Sequence, residues 1–393
     1  MGGHRNWKTI VEKRIIEEIT MRILHISKYY HPYVGGVENV CKYLADHSAG
    51  HEVAVVCFNE GRANSEDIVD GVKVYRVGVL FHVARQAISL KYQTVLRRVI
   101  REFRPDLIHF HWANPFPAAI LLALIPKQTK LLIYWHMDIL EDHKLYPLVR
   151  PIERRLLQRA DMITVTSPQY KEGSAPLQPF SDKVRIVPNG IDDTKLIPIS
   201  QEEQQSIRDM YHGKRIVLFV GRHILYKGLS YLIEAEKHVK SDCVFVIAGD
   251  GPLTQQLKDS CHSERVFFVG KLSDEMLKRY YYASSVFAFP SITKNEAFGM
   301  ALAEAMYCNT PAVTFTIPGS GVNWVNLDGV TGIEVPNGDV EAFAEAIDKL
   351  LTDEKLAKTY ADSAHQRVAE FFTVGKMMEE MEKCYKELSN HAG

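Results

Sequence analysis

A chain of 393 residues exceeds what one hydrophobic core conveniently fills, so two domains are expected. With 46% hydrophobic and 24% charged residues the composition excludes a disordered or fibrous protein, and no run of 18 apolar residues offers a membrane-spanning helix. Six dispersed cysteines without a C-x-x-C pair argue against a zinc site or a disulfide scaffold, and point to a reducing, cytoplasmic setting.

Residues 1–20, MGGHRNWKTIVEKRIIEEIT, lack the apolar core of a secretory signal and read as an N-terminal extension or tag, or else as an amphipathic helix. From Met21 onward short apolar runs alternate with amphipathic stretches, the pattern of βαβ units. In the first half the expected strands are 22–27, 52–58, 72–77, 106–111, 131–136, 162–167 and 184–188, with helices at 37–47, 87–103, 116–125 and 148–159. An Asn-Gly turn and two prolines in PNGIDDTKLIPI, residues 188–199, mark a join. Strands at 215–221, 244–249, 265–270, 286–290 and 312–316 follow, separated by helices near 228–240, 253–261, 273–283 and 298–307. Helices near 339–351, 354–371 and 374–388 close the chain. The reading is α/β: two Rossmann-like doubly wound domains, residues 21–193 and 194–372, facing across a cleft, with 373–393 as a terminal helix. Residues 21–195 hold 23 Lys+Arg against 18 Asp+Glu and residues 196–393 hold 20 against 27, so the halves are expected to face different partners.

In a doubly wound sheet ligands gather beyond the carboxyl ends of strands, and four features fall there. In KYYHPYVGGVENV the pair Gly35-Gly36 would admit a ligand close to the backbone at a helix start, or simply make a tight turn; it is not the G-x-G-x-x-G of nicotinamide-binding folds. GRHILYKG sets Arg222 and Lys227 ahead of Gly228 and a helix, a combination that suits a diphosphate, although charge in a loop is also ordinary. His136 ends the strand LLIYWH, but His25, His109 and His111 also lie on strands, and spacing does not single it out. In NEAFGMALAE, Glu296 precedes and Glu304 lies within a helix opened by Gly299; eight helical residues rise about 12 Å, near the reach from a ribose to a hexose across a diphosphate. One carboxylate could then take sugar hydroxyls and the other ribose hydroxyls, or the two could be incidental acids on a packed helix.

The E-x7-E of Glu296 and Glu304, with GRHILYKG, the GGVE loop, VPNGID, GDGPL and FVGKLSDEML in order, resembles the retaining GT-B glycosyltransferases of family 4, from Met21 to about Lys386. That resemblance implies that Arg222 and Lys227 bind the donor diphosphate, that Glu296 and the backbone of Ala297, Phe298 and Gly299 hold the transferred sugar, and that Glu304 holds the ribose. It implies that His136, in an H-x-D, sits against the donor sugar, that Gly36 lies beside the diphosphate, and that Lys271 and Leu272 meet the base. It also implies that the final helix returns to the first domain. Asn309 stands where the family helix has glycine, and asparagine too tolerates a left-handed cap. GSGVNWV, residues 319–325, resembles a subgroup that includes bacterial polysaccharide mannosyltransferases.

No D-x-D pair appears at a strand end, so Arg222, Lys227 and the helix dipole are expected to neutralise the leaving group without a metal ion or other cofactor. No carboxylate presents itself as a covalent nucleophile, which leaves a front-face route as the expectation. The donor is expected to be a nucleotide-diphosphate hexose, GDP-mannose first and a UDP-hexose otherwise, and the acceptor a glycan or lipid-linked glycan of a bacterial surface polysaccharide. Lys91, Arg97, Arg98, Arg101 and Arg104 on one stretch and Arg150, Arg154, Arg155 and Arg159 on another suit peripheral contact with an anionic inner membrane face, or are a solvated surface. Nucleic acid is not expected as a partner. A sugar-nucleotide epimerase of the same architecture, or a non-catalytic sugar-nucleotide binder, are the alternative readings.

Overall fold

The computed structural model describes residues 21–33, 35–48, 50–83, 86–139 and 145–390, so the expectation for residues 1–20 lies outside the described residues. Packing divides the chain into two units, one running to Thr164 and including Met381 onward, the other Val165–Glu380. By this division residues 165–193, expected in the first domain, pack with the second unit, although strand Val184–Ile186 still pairs in the first sheet. The cause is local: after Val165, Thr166 and Gly173 pack on loops of the second unit, Thr166 donating to the Ala297 carbonyl at 2.9 Å.

The first sheet is built from β1 (Arg22–Ile26), β2 (Glu52–Phe58), β3 (Ser65–Val69), β4 (Val72–Val77), β7 (Leu107–Trp112), β8 (Lys130–Trp135), β9 (Met162–Val165) and β10 (Val184–Ile186); β5 (Phe81–Val83) and β6 (Gln86–Ile88) form a separate hairpin. Its order is β10-β9-β8-β7-β1-β2-β4-β3. The second sheet has β11 (Arg215–Val220), β12 (Cys243–Ala248), β13 (Val266–Gly270), β14 (Val286–Phe289), β15 (Ala312–Phe315) and β16 (Gly332–Val335), in the order β13-β12-β11-β14-β15-β16. With the edge strands β3 and β10 set aside, and counting within each half, both run 3-2-1-4-5-6, the doubly wound Rossmann order. The winding reverses between β1 and β7, and again between β11 and β14.

The strand residues explain the sheets. Parallel strands covered on both faces read as unbroken apolar runs, and LIHFHW (β7) and CVFVIA (β12) are buried throughout. That density of Val, Ile and Phe made the central strands legible. β3, SEDIV, alternates half-buried and exposed residues and pairs antiparallel with β4 at the edge, which is why a search for apolar runs passes over it. The helix expected at 87–103 starts only at Tyr92, because Gln86–Ile88 is strand β6. Helix Gln201–Asp209 and strand β16 were also unforeseen, although Ser200 and Glu203 form a capping box that the sequence spells out. Asn309 takes the left-handed conformation at φ 58°, as expected of the residue that replaces glycine there. All six cysteines are free, five of them buried.

Candidate active site

In the second unit the loops after β11 and β14, on either side of the reversal, are fastened together. The Ile292 amide donates to the Tyr226 carbonyl at 3.0 Å. Gly228, at φ +66°, lies so close to the Pro290 carbonyl that a Cβ would collide with it. This register delivers Lys227 to Glu296: the ammonium donates to Glu296 Oε2, both side chains being nearly buried, and lies 5.1 Å from the centre of the Phe289 ring. Ser291 Oγ donates to the same oxygen at 3.2 Å. Two donors on Oε2 leave Oε1 as the oxygen free to accept from a ligand. Arg222 is exposed, with no side-chain ion pair among the described residues.

The backbone that carries Glu296 is clamped. Ser320 Oγ donates to the Glu296 carbonyl, and the Gly321 amide donates to the Ala297 carbonyl at 3.1 Å. A Cβ at Gly321 would strike the Ala297 carbonyl and crowd Ser167, so the GSG of GSGVNWV is there for close approach. Phe298 is buried, and Gly299, at φ +94°, turns the chain into helix Met300–Tyr307. Only that segment is helical. The 12 Å helical rise between Glu296 and Glu304 expected from sequence does not occur: residues 296–299 are loop, and Met300 to Glu304 rises about 6 Å.

The helix buries Leu302, Ala303, Ala305 and Met306, while Glu304 is only partly covered. Tyr281 Oη donates to Glu304 Oε2 at 2.8 Å. Burial pushes the Glu304 carboxyl up to about 7, against the Tyr281 hydrogen bond, which lowers it. Along the same sheet edge the GDGPL loop is tied back to the loop after β11, with the His223 amide donating to the Asp250 carbonyl at 3.0 Å and the Leu253 amide to the His223 carbonyl at 3.1 Å. Leu272 follows β13 and is half-buried against the core.

The first unit carries the remaining expected residues. Gly36 opens helix Gly36–Asp46, and a Cβ there would meet open space, so close backbone packing does not explain that glycine. His136 follows β8, its amide donating to the Trp112 carbonyl at 3.3 Å. Its ring belongs to a column: His136 Nε2 lies 2.9 Å from His111 Nδ1, and His111 Nε2 lies 3.1 Å from His25 Nδ1. His109 lies beside His25, ring centres 4.7 Å apart and planes tilted by 33°, and its Nδ1 is 2.9 Å from Tyr385 Oη on the terminal helix. Burial disfavours the charged form of all four rings, lowering His25 and His136 to about 3 and His109 and His111 well below the usual imidazole value. His25, His109 and His111 bring one nitrogen each within 4.8 Å of the others, with their ring planes 12° to 33° apart.

The structure therefore brings Lys227, Glu296, Ala297 and Gly299 together in one unit and His136 into a buried imidazole column in the other. Ser291, Tyr281, Ser320 and Thr166, which touch the candidate residues or their backbone, carried no sequence signal beyond GSG. Of the basic residues, Arg98 is engaged with Glu66, and Arg159 with Asp161 and the Thr129 carbonyl, so neither is free for a partner; Arg150, Arg154 and Arg155 are exposed. No described helix is long and apolar enough to cross a membrane.

Known proteins resemble this chain over nearly its whole length. The family profile "Glycosyltransferase Family 4" matches residues 34–195, and "Glycosyl transferases group 1" matches residues 200–367. The O-antigen chain mannosyltransferase C of Escherichia coli is 28% identical over 94% of this chain and 99% of its own. D-rhamnosyltransferase WbpZ of Pseudomonas aeruginosa is 29% identical over 90% and 92%. Among solved structures, sucrose-phosphate synthase of Thermosynechococcus elongatus superposes with a TM-score of 0.80 at 21% identity, covering 94% of this chain and all of that one. Anabaena HepE, solved with UDP and glucose, gives 0.77 at 18% over 93% and 100%. With the Rossmann strand order in both halves and the E-x7-E loop at the reversal of the second sheet, these matches place the chain in the group 1, family 4 glycosyltransferases of GT-B fold.

Proposed function

We propose that this glycosyltransferase moves a hexose from a nucleotide diphosphate, mannose from GDP-mannose first and a UDP-hexose otherwise, onto a glycan or lipid-linked glycan in bacterial surface polysaccharide synthesis, retaining the anomeric configuration. The observation that carries the reading is the pair Lys227–Glu296 beyond the strands flanking the second sheet's reversal, with Glu304 one helical turn into the next element. The likeness to mannosyl- and rhamnosyltransferases of polysaccharide chains supports the sugar class. Lys227, Arg222 and the amides at Gly299 supply positive charge for a departing diphosphate without requiring a metal. Glu296 Oε1 accepts hydroxyls of the transferred sugar while Lys227 and Ser291 hold Oε2. Glu304 accepts from the ribose, His136 serves the donor sugar, and the backbone at Leu272 serves the base. Gly36 leaves room beside the diphosphate. The leaving phosphate takes the acceptor proton on the front face; a trapped glycosyl-enzyme adduct would exclude that route. Arg150, Arg154 and Arg155 favour peripheral contact with an anionic membrane surface.

The test is a thermal-shift survey across GDP, UDP, ADP and their sugars, followed by transfer to polysaccharide precursors with the donor it selects. A nucleotide-selective rise in Tm and a product with the donor's anomeric configuration support the reading. Hydrolysis or epimerisation of the sugar nucleotide without transfer would refute it.

A further inference from the structure

The imidazole column in the first unit has a direction. A neutral imidazole carries one N–H, so each ring in the chain His25 Nδ1···His111 Nε2 and His111 Nδ1···His136 Nε2 donates through one nitrogen and accepts through the other. Two arrangements satisfy both contacts. If His136 is the first donor, every proton points inward and the chain ends on a His25 Nε2–H that is buried without a partner among the described residues. If His25 is the first donor, His25 Nε2 is a bare acceptor, His111 donates Nδ1–H to His136 Nε2, and the last N–H is at His136 Nδ1. Orphaned buried N–H groups are rarer than under-used acceptors, which selects the second arrangement. Burial of the three rings in the chain opposes a second proton on any of them, which favours the alternation that the two contacts require.

We infer that His25 and His111 are positioning residues that fix His136 as the Nδ1–H tautomer, so that it presents a hydrogen-bond donor, and never a base, to a sugar hydroxyl or ring oxygen of the ligand. That the ligand is a donor sugar rests on the function proposed above; the tautomer does not. The ring geometry supports the relay: the His111 and His136 planes lie within 10° of each other with centroids 5.2 Å apart and nitrogens 2.9 Å apart, as an in-plane N–H···N contact requires, and Tyr134 packs 4.4 Å from His136. The column spans β1, β7 and the end of β8, so its end is held by three strands of the sheet rather than by a loop.

The experiment is long-range 1H–15N correlation NMR on the full chain labelled with 15N-histidine at pH 7, the His136 signals being assigned by their loss in His136→Asn. The expected result is a single Nδ1–H tautomer at His136. His111→Phe, which keeps the ring and removes both nitrogens, should convert it to a mixture containing Nε2–H. The same variant should lower kcat about 10- to 100-fold, as when an imidazole loses the group that sets its tautomer, with the donor KM changed less than about threefold. His111→Asn, whose amide can still donate to His136 Nε2, should restore part of kcat. If His111→Phe fails to fold, His25→Phe gives the same reading one link further away. An Nε2–H or doubly protonated His136 in the unmodified protein at pH 7, or a tautomer unmoved by either substitution, overturns the inference. An Nδ1–H tautomer in a chain that transfers no hexose would instead uphold the relay and refute the proposed function.

Discussion

Replacing Glu304 by Gln should make the free protein more stable and donor binding weaker. The carboxyl titrates near 7 in the fold against an ordinary glutamate value of 4.5, chiefly because burial penalises its charge. Between pH 4.5 and about 7 the native carboxyl keeps a proton that the unfolded chain has released, so stability falls as pH rises through that window. Above it the penalty is in force, about 2 to 3 kcal/mol at about 1.4 kcal/mol per pH unit once solvent screening of the partly covered side chain is allowed for. The substituted amide would carry no charge to desolvate, and its carbonyl can still accept from Tyr281 Oη, so the change removes the penalty without orphaning the phenol. Calorimetry at pH 8 should therefore place the second unit's transition roughly 5 to 10 °C higher in Glu304→Gln than in the unmodified chain, and the gap should close at pH 4.5. Titration with the selected nucleotide should show affinity falling about 10- to 100-fold, from loss of a charge-assisted acceptor for the ribose. A stability gap that does not change with pH would refute the burial argument, and unchanged nucleotide affinity would refute the ribose role.

Further expectations rest on other parts of the site. Lys227→Met should lower kcat about 10²- to 10³-fold, the loss typical of one preorganised charge-stabilising donor, and steady-state kinetics would show it. Gly228→Ala should destabilise the protein by about 2 to 4 kcal/mol, since it imposes φ +66° on a residue with a Cβ and drives that carbon onto the Pro290 carbonyl; urea unfolding measures this. Because Glu304 titrates near 7 while burial holds His136 near 3, kcat/KM for the donor should rise as pH increases through about 7, and the rise should vanish in Glu304→Gln. The double change Arg154→Glu with Arg155→Glu should weaken sedimentation with anionic vesicles, and an equal loss with neutral vesicles would count against electrostatic attachment.

How much of this was legible beforehand depended on the range of the interactions. Continuous apolar runs such as EVAVVCF and CVFVIA announced central parallel strands, because a strand covered on both faces has no polar side to display. Edge strand SEDIV and the paired strands Phe81–Val83 and Gln86–Ile88 escaped, since they are short, antiparallel and half solvated and contain no apolar run. Glycines at turns were readable from chemistry alone, Gly228 and Gly299 both taking positive φ.

The sequence by itself determined two doubly wound sheets, the motifs at their carboxyl edges and the left-handed cap at Asn309, because strand burial and backbone conformation are properties of a short stretch and its composition. Only the tertiary structure decided which charges meet. Lys227 and Glu296 stand 69 positions apart, and it is the zipping of two loops by Ile292 and Gly228 that joins them. Tyr281 reaches Glu304 across helices Asp274–Ala283 and Met300–Tyr307, and His25, His111 and His136 form a column because β1, β7 and β8 are neighbours in the sheet and not in the chain. A hydrogen bond acts over about 3 Å, a distance that spacing along a sequence does not encode.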